Sequence, residues 1–229
     1  ARQEEALCRE ADLVTAITEA EVAAYREHFP DQRYLCLTPG YEGPFHPERE
    51  ITAETPRRVV MSGSFEWIAK RINLERFLAQ AAAPLAATGI ELQIVGKTDE
   101  DFRQATSARF PGVDFVGRVP EMTPYLLDAR LGLIVEEFGG GFKLKTLEYL
   151  FHGLPLAGLI QAVEGLPLRS PEHLLLERDV PALVAAVVAA IDDLDRLNAM
   201  RKSAYDLCRE AFRWEDRGRR LHEALRELR

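Results

Sequence analysis

The sequence predicts an α/β fold, a doubly wound parallel sheet with helices on both faces. Three observations carry this. Short apolar runs alternate with helical patterns along the chain, at the spacing of βαβ units. The run 131–135 (LGLIV) is apolar throughout, as in a buried strand. Several runs close on glycine, at Gly63, Gly96 and Gly117, where a strand can turn into its crossover.

Taken in order, residues 4–9 read as the tail of a helix and 11–18 as a strand. Thr18 is placed to cap a helix over 19–29, which Pro30-Asp31 ends. A short strand over 33–37 follows. The segment 38–56 is dense in Pro, Gly and polar residues and reads as a linker. It divides the chain into 1–50, the end of one domain with a hinge, and 51–229, a second domain.

The strand–helix alternation then restarts. Strands are expected at 57–61, 91–95, 113–116, 131–135, 154–159 and 174–176. Helices are expected at 73–87, 99–108, 123–129, 147–151 and 180–191. Leu74, Phe77, Leu78 and Leu85 share one face of the first of these helices, which Pro84 can kink near its end. The stretch 195–229 is mostly helical, interrupted near Phe212-Arg213-Trp214-Glu215. Its last part carries Leu221, Leu225 and Leu228 on one stripe, suited to packing on the domain surface.

Composition narrows the function. The 229 residues are 47% hydrophobic and 29% charged, which is an ordinary globular balance. A net charge of −8 argues against a general nucleic-acid binder, whose footprint is basic. Cys8, Cys36 and Cys208 are widely spaced and form no metal or disulfide framework, so reduced core thiols are expected. No apolar run reaches membrane-spanning length. The start at Ala1 has no signal-peptide core, and we expect the middle of a longer cytoplasmic protein.

The chemistry concentrates at Glu137-Phe138-Gly139-Gly140-Gly141-Phe142-Lys143-Leu144-Lys145, between the apolar strand and the next helix. Glycines there let backbone N–H groups approach a ligand, and a helix N-terminus favours an anion such as a phosphate. Lys143 and Lys145 sit where cations disfavour a helix, so something negative is expected to compensate them. The same stretch also reads as a flexible loop with surface lysines. Glu148, about two helical turns beyond Gly140, is placed to accept two hydroxyl hydrogen bonds from a ribose; it also reads as an outward-facing helix residue. Lys70 and Arg71, after the Gly63 turn, are either a second edge for a diphosphate or surface charges. Glu136 and Glu137 read as solvated rim residues. His152, at a helix C-terminus, reads as structural, a partly cationic ring facing the dipole. Neither a nucleophilic triad nor a metal-ligand spacing is present.

Several segments in order resemble the C-terminal, donor-binding half of retaining glycosyltransferases with the GT-B fold, the group 1 or family 4 type. Residues 60–67 (VMSGSFEW) resemble its first strand and Gly-Ser-x-x-Trp loop, and 93–96 (QIVG) its second strand. Residues 113–119 (VDFVGRV) resemble its "V-x-F-x-G-x-V". Residues 139–155 resemble "GGG-x-R-L-K-I-L-E" with the Gly-x-Pro that follows. Residues 163–166 (VEGL) and 212–215 (FRWE) resemble the closing segments.

The resemblance implies a Rossmann-like half of a GT-B enzyme of bacterial polysaccharide biosynthesis. Its donor would be a nucleotide-diphosphate sugar, with no metal or other cofactor, and its acceptor a glycan, lipid or protein. It assigns ribose hydroxyls to Glu148. Diphosphate stabilisation falls to Lys70 and Lys145, and further donor contacts to Gly63, Ser64, Arg118, Val119, Gly140, Gly141, Phe142 and Lys143. The last helix would cross back to an N-terminal domain, the required partner, without which this half binds donor weakly and transfers nothing. A cytoplasmic setting, peripheral at the inner membrane face at most, goes with it. Two departures stand out. Many relatives carry a glutamate where Gly140 stands, and Ser64 replaces a basic residue of the first loop. These keep open a GT-B-like binding or assembly module without transfer; a nucleotide-sugar epimerase on the same fold is a third reading, set back by the lack of an acid/base His or carboxylate pair.

Overall fold

A computed structural model describes residues 2–136 and 141–228. The chain opens with α1 (Arg2–Glu10), β1 (Val14–Ala16), α2 (Glu19–His28) and β2 (Tyr34–Cys36). The two strands pair in parallel as a separate two-stranded sheet. Thr18 forms a full capping box on α2: its hydroxyl accepts from the Glu21 N–H, and the Glu21 carboxylate accepts from the Thr18 N–H.

Next come β3 (Arg58–Ser62), α3 (Ile68–Ala87), β4 (Glu91–Val95), α4 (Glu100–Arg109), β5 (Val113–Gly117), α5 (Thr123–Leu127) and β6 (Leu131–Ile134). After them run α6 (Leu144–Phe151), β7 (Leu156–Leu159), β8 (Leu174–Glu177), α7 (Val180–Ala190), α8 (Leu194–Ala211) and α9 (Trp214–Arg226). The six strands from β3 onward form one parallel sheet in the order β5-β4-β3-β6-β7-β8. This is the 3-2-1-4-5-6 order of doubly wound nucleotide-binding sheets. Right-handed crossovers running in opposite directions set α3 and α6 on opposite faces. Helix α7 packs beside α3, and α8 beside α6.

The core follows from this double covering. Every residue of β6 and β7 is buried, as are four of the five in β3 and in β4. Leu74, Phe77, Leu78, Ala81 and Leu85 bury one face of α3. Helix α3 begins at Ile68, five residues before the expected start, so Lys70 and Arg71 stand in its first turn. Its N-cap, Trp67, makes no side-chain cap, which is why the sequence carries no start signal there. Arg71 holds the turn by donating to the Phe65 carbonyl at 2.9 Å.

The segment between β2 and β3 has no regular structure and is pinned along its length. Asn198 on α8 makes a reciprocal pair with the backbone of Ile51, at 2.9 and 2.8 Å. The Arg49 guanidinium donates to the carbonyls of Leu127, Ala129 and Gly153. Burial pulls its pKa down to about 10.

Helix α9 returns to the N-terminal strands through arginines more than through leucines. Buried Arg217 donates to the Thr38 and Ala211 carbonyls, Arg220 to Cys36, and Arg33 to Glu227. Leu225, expected on a packed stripe, is 47% exposed. The cysteines are free, with Cys8 and Cys208 buried. No helix among the described residues is long and apolar enough to cross a membrane.

Candidate functional site at the sheet switch point

Strands β3 and β6 are neighbours whose crossovers leave in opposite directions. Their carboxyl ends therefore mark the usual place for a ligand in this sheet order, a crevice at the switch point. Ser62 ends β3, Glu136 lies just past β6, and α6 points its N-terminus at the same place.

The loops around the crevice carry glycine with positive φ at three points, Gly96, Gly117 and Gly141. Gly96 has φ +139, and a Cβ there would stand 1.8 Å from the Gly63 carbonyl oxygen. The β4 loop thus lies directly against the β3 loop. The Gly63 N–H is taken by the Val95 carbonyl at 3.0 Å, so its amide is not available to a ligand. Ser64 is exposed, its hydroxyl 3.5 Å from Glu66. At the end of β5, Gly117 turns with φ +83; Arg118 is exposed and Val119 half-buried at the rim.

Gly141 also has positive φ, +81, and a Cβ there would approach the Glu21 carboxylate. Phe142 is buried, its ring 5.6 Å from that of Phe212 and close against Gly165. What Phe142 can present to a ligand is its backbone. Lys143 takes the N-cap position of α6 in an extended conformation and donates to the Gly141 carbonyl at 3.1 Å. Gly140 lies outside the described residues, as does Glu137.

Glu136 is the residue that the sequence misjudged. It is 7% exposed, where a solvated rim residue was expected. Its Oε1 is 2.5 Å from the Lys145 ammonium and 3.8 Å from that of Lys70. Lys145 also donates to the Ser62 carbonyl at 3.1 Å, tying α6 to the end of β3. Burial alone would raise the Glu136 pKa; the Lys145 ammonium and its hydrogen bond, with Lys70 behind, outweigh this and hold it below the usual range. Burial pulls the Lys145 pKa down against the same carboxylate. The negative group expected opposite the α6 lysines is therefore supplied, for Lys145, by the chain itself. A carboxylate directly continuing a buried strand, opposite an unexplained cation, was the available signal.

Tyr149 makes the second tie. Its buried hydroxyl donates to Ser62 Oγ at 2.8 Å and accepts from the Ser62 N–H at 2.5 Å. One turn into α6, half-buried Glu148 has no side-chain hydrogen bond or ion pair among the described residues, and burial raises its pKa. Helix α6 starts only four residues before it, so the expected two helical turns back to Gly140 do not exist. His152 closes the helix with Nδ1 2.7 Å from the Glu148 carbonyl and Nε2 3.0 Å from Thr123 Oγ1. Burial is the main cause that lowers its pKa, against the partly cationic ring expected at a helix end. A separate cleft of about 670 Å³, lined by Tyr41, Phe45, Phe151, Phe212 and Trp214, lies at the other end of α6.

Residues 56–193, more than half of the chain and including this crevice, match the family model described as Glycosyl transferases group 1. The chain belongs to that family. Solved glycosyltransferase structures share its fold. TarM of S. aureus superposes with a TM-score of 0.81 at 12% identity, over 100% of this chain and 46% of TarM. Anabaena HepE, solved with UDP, gives 0.77 at 13%, over 96% of this chain and 65% of HepE. The pneumococcal O-GlcNAc transferase GtfA, solved with UDP and GlcNAc, gives 0.72 at 15%, over 95% and 45%. This group 1 chain thus spans about half to two thirds of the proteins it resembles and corresponds to one half of a GT-B molecule. No curated protein sequence matches it.

Proposed function

We propose that the chain binds a nucleotide-diphosphate sugar at the switch-point crevice and is the donor half of a retaining glycosyltransferase. The observation that carries this is Glu148. It is a half-buried carboxylate without a side-chain partner among the described residues, one turn into a helix whose N-terminus bears Lys143 and Lys145. A ribose diol would supply the missing donors, with the diphosphate toward the helix end. That relatives in this fold are solved with UDP supports the reading.

In this reading Lys70 stabilises charge developing on the leaving diphosphate, without a metal, and Lys145 serves it from behind, through its ion pair with Glu136. Gly63, Ser64, Arg118, Val119 and residues 141–143 form the loops around base and phosphates. Residues 1–50 belong to the other domain with its hinge, 51–229 to the donor domain, and the acceptor is taken by the complete protein. Calorimetric titration with UDP, GDP and ADP tests it. We expect one of them to bind, and Glu148→Ala to weaken it about tenfold, the loss of hydrogen bonds to a charged group. No binding at millimolar concentration would refute the reading. A binding module without transfer is the second reading, favoured by exposed Ser64 where the resemblance places a basic clamp; donor turnover by the complete protein separates the two.

A further inference from the structure

We infer that Glu136 is an internal counter-anion that rivals the donor's diphosphate for Lys70. The inference rests on the donor-site reading above. Glu136 ends the central strand β6 at the mouth of the crevice and faces Lys70 from α3 and Lys143 and Lys145 from α6. These three cations come from elements on both sides of the switch point. They are unequal. The Lys145 side chain is 13% exposed, and its ammonium is already engaged by Glu136 and the Ser62 carbonyl. The Lys70 side chain is 33% exposed and stands 3.8 Å from the carboxylate, an ion pair without a hydrogen bond.

Lys70 is therefore the hand able to reach a phosphate, and Lys145 holds Glu136 from behind. Glu136 Oε2 is buried and has no hydrogen-bond partner among the described residues. The carboxylate is thus only half satisfied, and it can claim Lys70 more closely whenever Lys145 is withdrawn. Lys145 raises diphosphate affinity indirectly, by occupying the rival anion. A lysine that touched phosphate itself would behave differently when Glu136 is also removed.

The test is UDP and uridine titration of the unmodified chain, Lys145→Met, Glu136→Gln and the double variant, each checked by a thermal melt. Lys145→Met is expected to weaken UDP about tenfold, as the freed carboxylate pairs with Lys70. The double variant is expected to return to within about twofold of the unmodified chain. Uridine, which has no phosphate, is expected to bind all four alike. A double variant as weak as Lys145→Met would overturn the inference, making Lys145 a direct phosphate ligand. Parallel losses for uridine would overturn it too, as general damage to the site. Should Lys145→Met not fold, Glu136→Gln alone decides: tighter UDP binding supports the inference, and equal or weaker binding refutes it. Absence of UDP, GDP and ADP binding by the unmodified chain would instead remove the donor-site reading, and this inference with it.

Discussion

At the residue scale, Glu148 separates what a site needs from what the fold needs. Its carboxylate is partly desolvated with nothing among the described residues to receive from, so its folded pKa lies above the ordinary one. The folded chain then binds that proton more tightly than the unfolded chain. Stability contributed by protonation is present at low pH and is lost as pH rises from the ordinary carboxylate value through the raised one. Glu148→Gln is therefore expected to raise the melting temperature by roughly 2 °C at pH 7 and less at pH 4.5, while weakening UDP. Melts of both proteins at the two pH values check it; a variant less stable than the parent at pH 7 would show the carboxylate to be structural.

At the element scale, α6 is held to β3 by Tyr149 and Lys145, both reaching Ser62. Tyr149→Phe leaves the Ser62 N–H and hydroxyl buried without that partner, at an expected cost of about 1–3 kcal/mol in urea unfolding. Gly96 sets the distance between two loops of the crevice. Gly96→Ala would drive a methyl into the Gly63 carbonyl, with an expected loss of about 3 kcal/mol or more and collapse of UDP binding. An alanine variant of parental stability would mean the loops move apart freely.

At the scale of the whole molecule, the last helix straps the six-stranded sheet's domain to the N-terminal strands. Arg217 does this from a buried position, donating to Thr38 at 2.8 Å and Ala211 at 2.6 Å. Arg217→Ala is expected to speed amide exchange across α9 at least tenfold while β3, β4 and β6 keep their protection. Uniform loss of protection would instead make α9 part of a single cooperative unit with the sheet.

The parallel sheet and the order of its elements were legible because both depend on local signals. These are apolar runs of strand length, caps such as Thr18, and glycines at Gly63, Gly96 and Gly117. The start of α3 was not, because Trp67 caps nothing. The state of Glu136 was not legible either. Sequence neighbours gave it a solvated partner in Glu137, while its burial and its cations come from α3 and α6, far along the chain. The lowered pKa of His152 likewise depends on burial rather than on its place at a helix end.

By itself, then, the sequence determined the α/β class, the family-like motifs and a glycine loop preceding a helix with lysines. Only the tertiary structure decided which charge meets which. Periodicity acts over a few residues, but the desolvation and Coulomb forces that pair Lys145 with Glu136, and leave the Glu148 carboxylate without a hydrogen bond or ion pair among the described residues, are set by distances across the sheet.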